Sequence, residues 1–291
     1  MTTFKRTSKT NQDDKFKRGL IFYLCAFIFI VIAAILVLTV SPSRTKHQEP
    51  SITPPNTISG LDSESKPIDN SSLEIPVLMY HYIRQVTDPN DSLGKNLSVT
   101  PETFDKQLAW LKDHGYEAIT FDKALDIFAN KEAISNKPVI ITFDDGYKDA
   151  YTAAMPSLLK HNLTGIFYVI SAFIMRDQHV SFDDISMMIE NKMTIGCHTL
   201  DHVDLTAVNP DRLQSELVDC KESLANVYSI PVSDFSYPSG KYNDEVENAV
   251  KAAGFKTATT THSGVWKQSD DPYQIPRIRM SESTNLSNIL K

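Results

Sequence analysis

Cysteine is scarce in this sequence. The 291 residues include three, Cys25, Cys197 and Cys220. Cys25 lies in an apolar run near the N-terminus, so only one bridge would remain possible, and nothing in the sequence requires it. The count excludes a small scaffold held together by several disulfides, and the length indicates one large domain or two small ones.

An excess of basic residues is also missing. The whole chain has a formal net charge of −7, and residues 75–291 alone carry 20 Lys and Arg against 29 Asp and Glu. This balance argues against binding of nucleic acid or of a strongly anionic polymer, and it suits a neutral or amino-bearing substrate. The argument is weak, because net negative charge also aids solubility. Internal repeats and heptads are absent as well.

One long apolar run stands near the N-terminus. Residues 19–40 contain no charge in 22 positions, long enough to cross a hydrocarbon core of about 30 Å as a helix. Six basic and two acidic residues precede the run, so the positive-inside rule places residues 1–18 in the cytoplasm and the following chain outside. The alternative is a cleaved signal peptide, whose apolar core is normally about 7–15 residues. The longer core, and the poor cleavage pattern Val40-Ser41-Pro42-Ser43, favour an uncleaved anchor in the cell membrane.

Residues 41–74 are rich in Ser, Thr, Pro, Asn and acidic residues. Such a composition cannot bury enough apolar surface to fold, so this segment is predicted to be a flexible extracellular linker. The folded domain is expected to span residues 75–291.

Strand and helix patterns alternate through that domain. Strands are predicted near residues 75–80, 118–120, 139–143, 165–170, 193–197, 235–237, 256–260 and 275–278, with helices in most of the intervals. Repeated βα units indicate an α/β fold with a mostly parallel sheet. Seven or eight strands favour closure into a barrel over an open sheet. In both arrangements the active groups lie at the carboxyl ends of the strands.

The most informative stretch is Val139 to Gly146, where a buried strand runs into Asp144 and Asp145. Two neighbouring carboxylates cannot both stay buried as unpaired anions, and a cation beside them removes the difficulty. The alternative is an Asp-Asp-Gly turn that caps the next helix.

A second polar group follows another short strand, in the stretch from Cys197 to His202. His198 and His202 are four residues apart, so they can face the same way on one helical turn. His81 and the segment Tyr237-Pro238-Ser239-Gly240 also follow predicted strands directly. One carboxylate and two imidazoles on a divalent metal would leave positions open for water and substrate.

These motifs resemble those of the polysaccharide deacetylases of carbohydrate esterase family 4, which share the NodB-homology domain. Residues 142–146, Thr-Phe-Asp-Asp-Gly, match the first motif of that family, and residues 198–202, His-Thr-Leu-Asp-His, match the second. The resemblance covers roughly residues 75–291. It implies a distorted (β/α) barrel with seven or eight strands. It also implies Asp144 as the general base and Asp145, His198 and His202 as ligands of a divalent metal, usually zinc.

The third motif departs from the common form of the family, Arg-Pro-Pro-aromatic-Gly. Here residues 236–240 read Ser-Tyr-Pro-Ser-Gly, so the arginine that would orient the base is absent. The backbone N–H of Ser239 could still face an oxyanion, because a backbone donor does not depend on the side chain. Arg277 is the candidate for the missing cation.

The late family motif that supplies a histidine as general acid has no clear match. His262 is a weak candidate and His81 a better one. Residues 77–83 resemble the start of the branch that includes poly-N-acetylglucosamine deacetylases, in which the acid comes first. A structural histidine at a strand end is the alternative.

The expected function is removal of N-acetyl groups from a glycan of the cell wall or cell surface, with release of acetate. Two alternatives remain open: a hydrolase of another bond, such as an O-acetyl ester, and a catalytically silent glycan-binding relative. The sequence does not distinguish peptidoglycan from poly-N-acetylglucosamine, and it does not indicate the oligomeric state. Trp266, Tyr82 and Tyr242 are candidates for sugar contacts or for packing.

Overall fold

The computed structural model describes residues 73–132 and 136–290. The predicted cytoplasmic tail and membrane anchor lie outside the described residues, as does the predicted linker up to residue 72. In the two described ranges, no helix combines the length and the apolarity needed to cross a membrane.

Twelve strands occur in the described ranges, several of them of two residues. They are β1 (Glu74–Ile75), β2 (Val77–Tyr80), β3 (Tyr82–Ile83), β4 (Ser98–Val99), β5 (Tyr116–Ala118), β6 (Lys137–Phe143), β7 (Ile166–Val169), β8 (Thr194–Cys197), β9 (Asp234–Ser236), β10 (Thr257–Ser263), β11 (Trp266–Lys267) and β12 (Ile275–Arg279).

Eight α-helices accompany them in the same part of the chain. They are α1 (Ser92–Leu97), α2 (Pro101–Asp113), α3 (Phe121–Phe128), α4 (Met155–Lys160), α5 (Phe182–Glu190), α6 (Pro210–Tyr228), α7 (Asp244–Ala252) and α8 (Leu286–Ile289). A π-helical segment, Ala150–Ala154, leads into α4, and short 3₁₀ turns lie at Ser171–Phe173, Leu205–Ala207 and Pro238–Gly240.

The strands close into a barrel. The order is β2-β12-β10-β9-β8-β7-β6, and β6 pairs back onto β2. All of these pairings are parallel, so seven strands form the closed barrel. β5 pairs with the first half of β6 and does not take part in closure. The predicted α/β barrel is confirmed as a parallel seven-stranded barrel with helices.

Successive residues of the barrel strands point to opposite sides, as the pleat requires. In β6, Val139, Ile141 and Phe143 belong to the large cluster packed with the outer helices, whereas Ile140 belongs to a second cluster. That second cluster joins residues of four barrel strands, including Val77, Ile140, Ile166 and Ile275, with residues of α3. It therefore fills the lower interior of the barrel and leaves the upper interior to polar groups.

Trp266 belongs to this lower cluster. The side chain is 1% exposed, and its ring makes edge contacts with Phe121 and Phe128 of α3. β11, which carries it, pairs with β1 just before β2 begins. Trp266 is thus a core residue at the amino end of the barrel, away from the strand ends that carry the site.

Candidate active site

The polar residues singled out in the sequence lie at the carboxyl ends of barrel strands. Asp144 and Asp145 follow β6, His198 follows β8, and His81 follows β2. Arg277 lies in β12, which is the neighbour of β2 in the barrel. Parallel strands bring their carboxyl ends to one side, so side chains that are up to 196 positions apart meet there.

One carboxylate and two imidazoles converge closely. Asp145 Oδ1 lies 3.3 Å from His198 Nε2 and 3.5 Å from His202 Nε2. Two ligands that are each about 2.0–2.1 Å from a tetrahedral ion lie about 3.3–3.4 Å apart. The donor set and its spacing therefore fit one divalent metal ion, and among the described residues this is the group of His, Cys, Asp and Glu side chains close enough to hold one.

The other nitrogen of His198 fixes the direction in which the ring points. His198 Nδ1 lies 2.7 Å from the carbonyl oxygen of Ser236, so the proton belongs on Nδ1 and the lone pair on Nε2. His198 is 2% exposed, whereas the side chain of His202 is 33% exposed. The triad thus has a buried inner ligand and an outer one that solvent reaches.

The segment from His198 to His202 is not the helical turn that the spacing predicted. Thr199 has φ 64° and His202 has φ 58°, both in the left-handed region. That region is unfavourable for a β-branched residue such as Thr199. The hydroxyl of Thr199 accepts a hydrogen bond from the backbone N–H of His202 at 2.9 Å, which holds the turn in place.

Helix α6 holds this turn from the outside. Glu216 is fully buried, and its Oε2 accepts from the backbone N–H of Asp201 at 2.9 Å. Arg212 forms ion pairs with both Glu216 and Asp201. A disulfide joins Cys197, directly before His198, to Cys220 of the same helix. The one bridge that the sequence allowed is therefore present, and it ties the strand that carries His198 to α6.

Arg277 pairs with Asp144 through two parallel hydrogen bonds of 2.7 Å each. The guanidinium is fully buried and has five N–H donors. The remaining donors reach the carbonyl of Thr260 at 2.8 Å and the hydroxyls of Thr142 and Ser236 at 3.1 and 3.2 Å. Every donor has an acceptor, so the arginine is held rigidly against the carboxylate.

This pairing decides the protonation state of Asp144. Burial favours the protonated acid, but the charge and hydrogen bonds of Arg277 outweigh it and hold the pKa of Asp144 below its ordinary value. Asp144 is therefore an anion across the physiological range. The cation lies where the sequence analysis placed it as a candidate, on a strand that is not part of the third motif.

His81 lies beside the same carboxylate, with Nε2 3.9 Å from Asp144 Oδ2. Its side chain is 11% exposed. Burial lowers the pKa of His81, against the opposing charges of Asp144 and Asp145, and the nearby Arg277 and Arg279 lower it further. A lowered pKa makes the protonated imidazole a stronger acid.

Ser239 lies in the turn after β9. Its φ is 56°, it is exposed, and its carbonyl accepts a hydrogen bond from Thr261 Oγ1 at 3.3 Å. His262, at the end of β10, is exposed and lies 6.0 Å from the ring of Tyr242. The structure gives no contact that links His262 to Asp144 or to the triad in the described part of the chain.

An open groove runs from the triad across the surface. Its wall includes Asp145, His202, Tyr82, Arg84 and Tyr147. The cavity volume is about 530 Å³, within the range of about 300–1,000 Å³ usual for ligand sites. Phe173 and His179 form another part of the wall, so the groove is largely aromatic beside the polar triad.

Sequence reasoning missed the residues that support the site. Ser236 contacts both His198 and Arg277, yet in the sequence it stands only where a motif arginine was expected. Glu216 left a detectable signal, because it lies on the apolar face of α6 between Leu213 and Leu217, all three buried. A glutamate in such a stripe indicates a partner inside the fold.

The fold and the cluster define a parallel α/β barrel with an Asp-His-His group suited to a divalent metal at its carboxyl end. The polysaccharide deacetylase family profile matches residues 131–258. The Bacillus subtilis (strain 168) protein YxkH, whose name assigns it to the polysaccharide deacetylases, is 32% identical over 208 residues, 72% of each chain. The chain belongs to the polysaccharide deacetylase family, whose members are hydrolases.

Two further relatives are similar over most of their length. The poly-β-1,6-N-acetyl-D-glucosamine N-deacetylase of Staphylococcus aureus is 25% identical over 282 residues, 88% of this chain and 92% of that protein. The structure of the Streptococcus pyogenes deacetylase PplD in complex with acetate superposes with a TM-score of 0.70 at 30% identity. The superposition covers 75% of this chain and 97% of the PplD chain.

Proposed function

We propose that this protein removes N-acetyl groups from an N-acetylglucosamine-containing polysaccharide of the cell wall or cell surface, with the help of one divalent metal ion, and releases acetate. The observation that carries the proposal is the triad of Asp145, His198 and His202 at metal-ligand spacing, with the ionised Asp144 beside it. The similarity to a poly-N-acetylglucosamine N-deacetylase supports the amide as the bond that is cleaved.

A bound divalent ion, with zinc the first candidate for one carboxylate and two imidazoles, would polarise the acetyl carbonyl and lower the pKa of a water at the site. Asp145 would contribute the negative charge of the ligand set. His198 is oriented for this role by Ser236, and His202 by the turn that Thr199 and Glu216 hold.

Asp144 is the proposed general base. Its carboxylate uses one hydrogen bond on each oxygen for Arg277, so each oxygen keeps a lone pair for the attacking water. Arg277 fixes the plane of the carboxylate and keeps it ionised. The proposed part of Arg277 is thus orientation, the part that a motif arginine plays in relatives with the common third motif.

His81 is the proposed general acid. Once protonated, it would deliver a proton to the nitrogen of the departing amino sugar, and its position beside Asp144 supports this role. The backbone N–H of Ser239 is the proposed donor to the oxyanion, in a turn whose left-handed φ sets the direction of the peptide groups.

The proposed setting is the outer face of the cell membrane. The charge-free run at residues 19–40, with basic residues before it, supports a single-pass anchor, and the composition of residues 41–74 supports a tether between anchor and barrel. An outward-facing domain on a tether has a surface or wall polysaccharide within its reach.

The silent-relative alternative depended on the missing motif arginine. Arg277 supplies a guanidinium at Asp144 from another strand, which removes that ground.

The experiment that tests the proposal is a product analysis. The purified full chain is incubated with defined N-acetylated and O-acetylated glycans in the presence of added zinc, and acetate and free amines are quantified. We expect acetate and amine in equal amounts from the N-acetylated glycans. Acetate from O-acetyl esters alone would contradict it.

A further inference from the structure

Arginines without an ionic partner concentrate around the site. Five arginines lie in the described residues, and two of them, Arg212 and Arg277, form ion pairs. For the guanidinium groups of Arg84, Arg176 and Arg279, no ion pair or hydrogen bond occurs within the described ranges. All three lie near the site. Arg84 lines the groove, and Arg176 packs on the groove residue Phe173. Arg279 is close enough to His81 for its charge to lower the pKa of that histidine.

Arg84 packs on Tyr82, whose ring also stacks on that of Tyr147. Its guanidinium carbon lies 3.5 Å from the centre of the Tyr82 ring, and the Tyr147 ring lies 3.8 Å from the same ring at an interplanar angle of 22°. Two groups cannot occupy one ring face at these distances, so they cover opposite faces of Tyr82. The stack lines the same groove as Asp145 and His202.

This arrangement changes what the groove offers to a glycan. Tyr82 cannot stack on a sugar ring, because both of its faces are covered. The guanidinium of Arg84 remains available instead, because it lines the groove and no described residue accepts a hydrogen bond from it, and its packing on the tyrosine restricts its movement. A fixed guanidinium fork matches a carboxylate or a phosphate better than it matches a neutral hydroxyl.

Asp149 does not neutralise Arg84 by forming an ion pair with it. The positive charge of Arg84 lowers the pKa of Asp149, but the two side chains do not approach within ion-pair distance. Burial raises the pKa of Asp149 to about 6, and its Oδ2 accepts instead from the backbone N–H of Ile83 at 3.2 Å. A second guanidinium, that of Arg176, lies 4.0 Å from the ring centre of Phe173, which is itself a residue of the groove wall.

We propose that the groove binds an anionic group, a carboxylate or a phosphate, on the sugar next to the N-acetylhexosamine that is deacetylated, with Arg84 as the residue that recognises it. The inference rests on the proposed deacetylase function and names its substrate class more closely. The net charge of −9 in residues 75–291 disfavours a dense polyanion. It is compatible with one anionic group per binding site at Arg84, which shares the groove lining with the carboxylates of Asp145 and Asp201.

The test compares matched oligosaccharides with the full chain and added zinc. One N-acetylglucosamine oligomer is neutral, a second carries a carboxylate on the neighbouring sugar, a third is the methyl ester of that acid, and a fourth carries a phosphate there. The quantity measured is the ratio of kcat/KM for acetate release between each anionic oligomer and the neutral one. The carboxylate and phosphate arms distinguish the two sources of negative charge.

We expect the ratio to exceed one in the wild type for at least one anionic oligomer, and to fall about tenfold in Arg84→Gln. Arg84→Lys keeps the positive charge but lacks the paired N–H donors of a guanidinium. Its ratio should therefore lie between those of the wild type and of Arg84→Gln. Lys106→Gln removes one positive charge from an exposed position that pairs with Glu102, and it should leave the ratio unchanged. An unchanged ratio in Arg84→Gln, or wild-type ratios of one or less for both anionic oligomers, would overturn the inference.

Failure of the proposed function gives a different result. If no oligomer releases acetate, the deacetylase proposal fails. Calorimetric binding of the same four oligomers then decides the anion inference alone, with loss of preferential binding expected in Arg84→Gln and equal binding of all four as the contrary result.

Discussion

Two aspartates are buried in this barrel at opposite ends of their strands, and their surroundings differ in one respect. Asp144, after β6, is 3% exposed, and Asp234, at the start of β9, is 4% exposed. Asp144 receives two hydrogen bonds from Arg277, whereas Asp234 receives one from the hydroxyl of Thr257 at 2.8 Å. Burial raises the pKa of Asp234 to about 6, and Arg277 holds that of Asp144 below its ordinary value.

The difference shows how the carboxyl end of the barrel keeps a buried carboxylate ionised. Burial alone turns a carboxylate into a weak acid that is neutral under mildly acidic conditions. A buried arginine with all five donors engaged is needed to keep it an anion. The barrel provides that arginine at the end with the triad, and it fills the interior nearer the amino end with apolar residues.

The largest expected effect separates the two aspartates by function. Asp144→Asn removes the proposed base, and general base catalysis contributes about 100-fold or more to rate. We expect kcat for acetate release to fall by at least that factor. Asp234→Asn is the matched control, because it makes the same change in an equally buried aspartate and should keep most of the activity. Equal losses in the two variants would break the comparison.

The second prediction concerns the stability of the pair. Arg277→Met leaves Asp144 buried and unpaired, which costs about 3–5 kcal/mol in the free energy of unfolding. Adding Asp144→Asn removes the orphaned charge and should recover part of that loss. Urea denaturation of the two variants and the wild type measures both quantities. A double variant that is no more stable than Arg277→Met would show that the ion pair is not the cause.

The third prediction concerns Asp234 and the pH dependence of the free energy of unfolding. Its pKa is about 6 in the folded chain and 3.8 ordinarily, so between these values the folded state holds a proton that the unfolded state lacks. The stabilisation is therefore full below the ordinary pKa, and it is lost as the pH rises through about 6. We expect Asp234→Asn to lack a decrease of about 2 kcal/mol that the wild type shows between pH 4.5 and 7. Parallel pH profiles of the two proteins would contradict this.

The smallest predicted effect concerns a third buried carboxylate, Glu216, which acts through the turn that carries His202. Glu216→Ala removes the acceptor for Asp201 N–H and the partner of Arg212, and we expect zinc affinity to fall about tenfold. Glu216→Gln keeps an acceptor and should lose less. Glu222→Gln, an exposed change on the same helix, is the control. Zinc affinity is measured by competition with a chromogenic chelator, and an unchanged value in Glu216→Ala would exclude a positioning role.

The sequence predicted the barrel because short apolar runs of β-prone residues and the helices between them are local patterns. The motif carboxylates and histidines could be found for a related reason, since the chain places them directly after strands. Strand order is a different matter. The pairing of β2 with both β12 and β6, which brings His81 and Arg277 to Asp144, depends on closure and leaves no local signal.

Two local predictions show the limit of spacing arguments. The spacing of His198 and His202 predicted a helical turn, but left-handed residues at Thr199 and His202 produce the same convergence by another path. The helix expected between the strands near residues 139–143 and 165–170 does begin at residue 148, but it becomes π-helical at Ala150–Ala154 before it is α-helical again from Met155. Side-chain hydrogen bonds decide the first case, and periodicity does not report them.

The roles assigned to Asp144, His81, Ser239, Arg277 and the triad stay predictions, as do the anchor and the linker.

The most direct test of the account is metal titration of the full chain during turnover. The protein is stripped with a chelator, the chelator is removed, and acetate release from an N-acetylglucosamine oligomer is followed as zinc is added. We predict no activity without metal and full activity at one ion per chain, with no recovery in His198→Ala. Undiminished acetate release by the stripped protein, with no metal detected in it, would contradict the claim that Asp145, His198 and His202 hold an ion that the reaction requires.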